Sequence, residues 1–464
     1  QSEACARTRE RRQPLGAAVG GASRRQGLML RQVVQRVKGV LSKLAARLVK
    51  NPRYWANISI LMSGTVGAQA VGIASILVLA RLYSPADFGN YAFFFVVAGF
   101  LSLAGTGSYD QAVYVETTPR DAAQSAMLAT LAAGAAGLAV LALGFAAGGW
   151  TSRPGPVVAI AGFLPLLALG ITLGGCCNAM VALCCQQGRF GSLSAGRMAQ
   201  AVTAAVASLG LGLAGSGPLG LVLGFLAGQA VLVIWLAAAS NFLGQTAHST
   251  TANLVARATR NARFPKFMLP GAILNYASGN AITLIGPSFF SIATLGHYNL
   301  GQRTAGLPLS VVGSAMGEVF RSSISPQSSS ASEVATLFRS AAIRLAVIGT
   351  VLVLPLALFG PLLFSVAFGP EWQQAGLYVQ IISPVIFARF VVSPLSAVLA
   401  LAKQQKLDMI LQGLFVVSAF GSIAAGAVSG SFLVLLITLT VSQTAIYALY
   451  FFVSRHFSRH IGTS

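Results

Sequence analysis

The chain has 464 residues, of which 55% are hydrophobic and only 9% charged, with a mean hydropathy of +0.73. A soluble domain carries about a quarter charged residues, so the solvent for most of this chain is lipid. The net charge of +21 does not point to nucleic acid: thirteen of the 31 lysines and arginines precede Ala56, most others sit in short gaps between apolar runs, and no basic soluble domain is left to bind one.

Residues 1–28 are rich in Arg, Gly and Ala and lack an apolar face, which predicts a disordered, dispensable tail, with Met29 reading as a native start. Residues 29–55 differ. Leu30, Val33, Val34, Val37, Leu41, Leu44 and Leu48 recur at helical spacing with Arg31, Arg36, Lys38, Lys43, Arg47 and Lys50 between them. That pattern predicts an amphipathic helix lying on an anionic membrane surface.

Apolar runs of about 18 residues or more mark membrane spans. They fall near 56–80, 91–109, 122–147, 157–183, 195–214, 217–240, 268–290, 300–320, 341–365, 376–402, 407–427 and 431–453. The expected fold is therefore an all-α membrane protein of about twelve transmembrane helices. It divides into an N-terminal six-helix lobe (56–240), a basic linker (241–267), a C-terminal six-helix lobe (268–453) and a tail (454–464). Basic residues alternate between the loops. One set holds Arg189, Arg197, Arg257, Arg260, Arg263, Lys266, Arg321, Arg339, Arg344, Lys403, Lys406, Arg455 and Arg459, whereas the other holds only Arg81, Arg153 and Arg303. The positive-inside rule then places both termini in the cytoplasm, with the acidic 110–121 connection as an exception.

Cys176, Cys177, Cys184 and Cys185 form a paired array inside one span. Adjacent helical residues point about 100° apart, and a seven-residue step separates Cys177 from Cys184 by about 10 Å. Four thiolates so placed cannot converge on one metal ion, and the array reads as core packing. The outer loops are too short for a catalytic domain, and no phosphate-binding loop, nucleophile elbow or zincin helix appears. The chain reads as a non-enzyme without a cofactor.

Two local echoes suggest duplicated halves. Phe88-Gly89-Asn90-Tyr91 after the first span matches Leu295-Gly296-His297-Tyr298 after the seventh, and Cys185-Gln186-Gln187 before the fifth matches Lys403-Gln404-Gln405 before the eleventh.

The stretches Leu61-Met62-Ser63-Gly64-Thr65 with Ala68-Gln69, and Ala80-Arg81-Leu82-Tyr83-Ser84-Pro85-Ala86-Asp87-Phe88-Gly89-Asn90-Tyr91, resemble the Wzx-type oligosaccharide-lipid flippases of the multidrug/oligosaccharidyl-lipid/polysaccharide exporter superfamily. Phe264-Pro265-Lys266-Phe267-Met268-Leu269-Pro270 with Leu274-Asn275, Gly296-His297-Tyr298-Asn299-Leu300 and Leu307-Pro308-Leu309 extend the resemblance across residues 50–455. One departure is Gly107-Ser108-Tyr109-Asp110, where the family often has Gly-Arg-Tyr-Glu. The resemblance implies alternating-access movement of undecaprenyl-pyrophosphate-linked oligosaccharide units for O-antigen, capsule or exopolysaccharide synthesis. Its partners would be that lipid-linked substrate, membrane lipids, and polysaccharide polymerase and chain-length or export proteins. A cation-coupled small-molecule exporter of the same superfamily is the alternative, and a sodium ion or proton could couple transport.

Ionisable residues within spans are costly and so point to function. Arg389 lies deep in the tenth span, Arg303 near the start of the eighth and Arg81 at the end of the first. Guanidinium forks suit phosphate oxygens, and Asn275 and Gln69 are expected to meet sugars. Asp110 and Glu318 could pair with an arginine, bind a coupling cation or sit at an interface. Prolines 270, 308, 384 and 394 predict bends.

Overall fold

The computed structural model describes residues 52–146, 163–247, 249–323, 331–402 and 404–459. The tail at 1–28 and the amphipathic run Leu30–Lys50 lie outside the described residues, as do the start of the expected fourth span and the Glu318 side chain. The chain divides into two compact units, 1–60 and 61–464. The described part of the first is helical from 52 to 60. The second holds the core, the cavity and every other helix.

Every regular element among the described residues is helical. The first long helices are α1 (Pro52–Leu82) and α2 (Pro85–Gly105), joined by one tight turn. The sequence Ser84-Pro85-Ala86-Asp87 explains the turn. Ser84 caps α2 through a reciprocal capping box with Asp87, and Pro85 supplies a fixed φ where no N–H is needed. Helix α2 therefore begins six residues before the apolar run that predicted it.

After α2, Gly107 and Ser108 take positive φ and turn the chain into the short α3 (Tyr109–Ala112). Four long helices come next: α4 (Pro119–Ala146), α5 (Leu164–Gln186), α6 (Phe190–Leu213) and α7 (Pro218–Ala239). Their core combines the alanines of α4 with Met180, Leu183, Leu193, Leu232 and Leu236. Cys177 and Cys184 belong to this core, and the Cys184 thiol lies 3.8 Å from the Leu236 carbonyl.

The basic linker is largely helical among its described residues. It forms α8 (Phe242–Thr246), α9 (Thr251–Arg260) and one π-helical turn over Phe264–Met268. The seventh span is a broken helix, with α10 (Leu269–Gly279) giving way at Asn280 to α11 (Ala281–Ile285). Then come α12 (Ile292–Ser323), α13 (Ala331–Phe368) and α14 (Gln373–Val392), followed by a 3-10 turn at Ser393–Ser396 and α15 (Ala397–Leu401). Helices α16 (Gln405–Ser429) and α17 (Phe432–Ser458) complete the fold.

Twelve helical segments thus correspond to the twelve apolar runs. Nine of the described helices are long and apolar enough to cross a membrane on those grounds alone. The three that fall short are α6, the broken α10–α11 and α12. Helix α12 carries Asn299, Gln302 and Arg303, so the side chains that lower its apolarity face the centre of the molecule. Helices run on through Pro308 and Pro384. The α13 ladder breaks instead at Phe359 (φ −123°), between Pro355 and Pro361.

Packing is densest within residues 61–239 and within 292–458, and the main bridge between these halves is the crossing of α2 with α12. At that crossing the two echo glycines meet. A Cβ on Gly89 would stand 1.9 Å from the Ile292 carbonyl oxygen, and one on Gly296 would stand 1.8 Å from that of Pro85. Only glycine permits so close a backbone approach.

Candidate functional site

Beneath that crossing lies a cavity of about 750 Å³. The first half contributes Ile76 from α1 and Phe88, Tyr91, Phe95 and Val96 from α2. The second half contributes the polar wall: Asn280, Asn299, Gln302, Arg303, Ser310, Ser314, Arg389, Ser393 and Gln443. One side is aromatic and apolar, the other is cationic and amide-rich. No carboxylate lines the chamber among the described residues.

Helical spacing sets this wall. On α12, Asn299, Gln302, Arg303, Gly306, Ser310, Gly313 and Ser314 fall at three- and four-residue steps, so one stripe faces the chamber. Asn299 is held in place: its Nδ2 donates to the Leu295 carbonyl at 2.8 Å, and its Oδ1 accepts from Thr283 at 3.1 Å. Arg389 lies in the last turn of α14, where a cation also suits the negative helix end. Its guanidinium is exposed to the chamber, makes no ion pair with a carboxylate among the described residues, and has Tyr298 and Tyr447 within its electrostatic reach.

Two of the six residues singled out from the sequence, Arg303 and Arg389, therefore share one chamber. The other four lie elsewhere. Arg81 is exposed in the last turn of α1, and Gln69 is half-buried on α1 with an unpartnered Oε1. Asn275 is exposed on α10. Asp110 is buried in α3, where one carboxylate oxygen accepts from Gln111 at 2.8 Å and the other is unpartnered.

Two clusters that sequence reasoning did not single out close the ends of this architecture. The first is a seam above the chamber. Trp372 is fully buried, its indole N–H donates to the Ala80 carbonyl at 2.7 Å, and its ring meets Phe88 edge-on at 5.1 Å and His297 at 5.5 Å. Tyr83 adds a 2.7 Å bond from its hydroxyl to the Ser208 carbonyl. The sequence offered only the echo glycines as a signal, since a lone Trp372 after Gly-Pro-Glu fits no pattern.

The second is a polar latch at the opposite end of α2. Arg257 of the linker pairs with Glu116 at 2.8 Å and with Asp121, and it donates to Gln124 at 3.2 Å. Glu116 also accepts from Asn261 and Ser125, each at 3.0 Å. The Arg257 and Glu116 side chains are only 10% and 6% exposed. Burial disfavours the Glu116 charge, but the bonds from Asn261, Arg257 and Ser125 outweigh it and hold its carboxyl below the usual range. Burial likewise opposes the Arg257 charge, yet Glu116 and Asp121 raise its pKa above the ordinary guanidinium value. The signal was present in the acidic 110–121 connection, which holds three of the ten acidic residues of the chain.

The fold is similar to that of solved membrane transporters. The structure of the lipid II flippase MurJ in an inward closed conformation superposes with a TM-score of 0.63 at 12% identity, over 85% of this chain and 87% of that one. An inward-facing multidrug resistance MATE family transporter superposes with a TM-score of 0.57 at 13% identity, over 86% and 96%. No curated protein matches the chain in sequence. A family model does: polysaccharide biosynthesis protein, over residues 78–377. The chain belongs to that polysaccharide biosynthesis family, in agreement with the resemblance read from the sequence, and shares the fold of the transporters above.

Proposed function

We propose that the protein is a flippase that carries undecaprenyl-pyrophosphate-linked oligosaccharide units across the bacterial inner membrane. The observation that carries this reading is the chamber with two arginines and no carboxylate in its described lining. A pyrophosphate group is a dense anion, and two guanidiniums facing a cavity walled by apolar helices bind it more strongly than exposed cations would. The amide and hydroxyl side chains of α12, with Asn280, Ser393 and Gln443, offer donors and acceptors to sugar hydroxyls, and Tyr91 and Phe95 offer flat apolar faces. The polyprenyl tail stays in the bilayer.

The same lining weighs against a carrier of cationic small molecules, which would meet repulsion from Arg303 and Arg389. The family's link to polysaccharide biosynthesis and the flippase fold of MurJ support the lipid-linked substrate. The basic loops support cytoplasmic termini. Asp110, buried with one unpartnered carboxylate oxygen, is the candidate for binding a coupling cation.

The test is a disruption strain complemented with variants. Arg389→Gln and Arg303→Gln should each reach normal membrane levels yet cut surface polysaccharide at least tenfold, with lipid-linked oligosaccharide accumulating on the inner leaflet. Full export by the Arg303→Gln/Arg389→Gln double variant would refute the proposal.

A further inference from the structure

The linker carries four basic residues: Arg257, Arg260, Arg263 and Lys266. Arg257 pairs with Glu116 and Asp121 and is buried with Glu116. The other three are exposed and make no ion pair with a carboxylate among the described residues. Arg263 and Lys266 instead lie over the neighbouring Phe264 and Phe267 rings, at 5.3 and 5.9 Å. Beside these charges Phe267 and Met268 are 73% and 47% exposed, so the turn presents cations and apolar side chains together. That combination suits the boundary between headgroups and acyl chains.

The next segment is equally unusual. Helix α10 has no buried residue along its whole length. It touches α2 through Tyr276, whose hydroxyl donates to the Val96 carbonyl at 3.3 Å, and it packs only lightly on α16. A π-helical turn precedes it, and the break at Asn280 ends it. Asn280 lines the chamber. At 1.5 Å per residue, the fourteen steps from Lys266 to Asn280 span about 20 Å, so one loosely packed helix leads from the basic turn to the cavity.

We propose that Arg263 and Lys266 form a loading site for the pyrophosphate headgroup of the lipid-linked substrate in the inner leaflet. From there the headgroup moves along α10, past Asn275, to Arg303 and Arg389. The proposal rests on the flippase reading above. Phe267 and Met268 anchor the turn among acyl chains, which keeps the two cations at headgroup depth. The latch at Arg257 holds the linker to the first half, so the site keeps its position when α10 moves.

The experiment uses the full chain in phosphatidylcholine vesicles, with polyprenyl pyrophosphate and phosphatidylglycerol as separate probes. It compares the native protein with Arg263→Gln/Lys266→Gln, with the charge-preserving Arg263→Lys/Lys266→Arg and with Arg389→Gln. The neutral pair should weaken polyprenyl pyrophosphate binding roughly tenfold, since each interfacial cation contributes severalfold, and leave phosphatidylglycerol binding within twofold. The difference between the probes follows from charge, because phosphatidylglycerol carries a single negative charge and pyrophosphate carries more. The neutral pair should also raise the substrate concentration for half-maximal flipping by the same factor without lowering the maximal rate, and the charge-preserving pair should restore it. Unchanged half-saturation, or equal loss toward phosphatidylglycerol, would overturn the loading site. Arg389→Gln should lower the maximal rate; if it does not while the neutral pair still raises half-saturation, the chamber reading fails and the loading site stands.

Discussion

The two ends of α2 are held by opposite chemistry. At the Gly89 end, α2 and α12 meet backbone to backbone, and Trp372, Phe88 and Tyr83 fill the seam with rings and two hydrogen bonds to carbonyls. At the Asp110 end the contact is ionic, runs through the linker, and leaves α10 almost unpacked. A tight apolar seam has one geometry and fails as a whole when its spacing changes. A polar latch resists removal of one partner but tolerates movement of whatever lies beyond it. On the reading proposed above, loading belongs to the second end, and the first joins the two halves beside the cationic chamber.

The largest effect should come from the seam. Gly296→Val or Gly89→Val would force α2 and α12 apart, and we expect loss of nearly all polysaccharide export, read as surface polymer per unit of membrane-inserted protein. A cysteine pair at Pro85 and Ile292 that forms a cross-link in the native protein should fail to do so in either variant. Export by Gly296→Val at native levels would show that the seam does not govern transport.

Next comes the latch. Removing one partner of a buried, hydrogen-bonded ion pair costs about 3–5 kcal/mol. Arg257→Ala should therefore expose residues 251–261 to hydrogen exchange and proteolysis, while the exchange of α2 near Gly89 stays unchanged. Equal loosening at both ends would show that the two regions are not independent.

Trp372→Phe keeps an aromatic ring but removes the bond to the Ala80 carbonyl and the pyrrole part of a fully buried side chain, at about 2 kcal/mol. A fall in melting temperature of a few degrees and a modest export defect should accompany that loss.

The smallest effect concerns pH. The Glu116 carboxyl is held below its ordinary value in the folded protein, so its stabilisation is complete above the unfolded pKa of about 4.3 and disappears as pH falls through the depressed folded value. Protection of residues 251–261 should be flat from pH 7 to 5 and drop only in stronger acid, and Glu116→Gln should abolish that dependence. A drop centred near pH 6 would assign the latch to another group.

Much of this comparison is visible in the sequence, and the missing part has one cause. Apolar run length marks the twelve segments because the bilayer imposes it locally. Arg303 and Arg389 stand out because cations are rare in apolar runs, and the Gly89 and Gly296 echo marks the crossing that joins the halves. Pairings between distant segments are not legible. Arg257 finds Glu116, and Trp372 finds Ala80, only once the helices are packed, and neither pair shares a period or a spacing. The apolar pattern misplaces the start of α2 because the Ser84 cap, rather than hydrophobicity, decides where that helix begins. The bend in α13 falls at Phe359, while Pro308 and Pro384 leave their helices unbroken. Gln69, Asn275, Arg81 and Asp110 are marked by residue type alone, which says nothing about the face a side chain takes.

The central claim is that the chamber's positive charge moves an anionic headgroup, and substitutions at Arg389 test it most directly. The measurement is flipping of fluorescent polyprenyl-pyrophosphate oligosaccharide in vesicles containing the purified protein, native or with Arg389→Lys or Arg389→Gln. Lysine, which keeps the charge but loses the two-pronged fork, should retain partial activity, and glutamine should lose at least tenfold at unchanged melting temperature. Equal rates for all three proteins would contradict the claim.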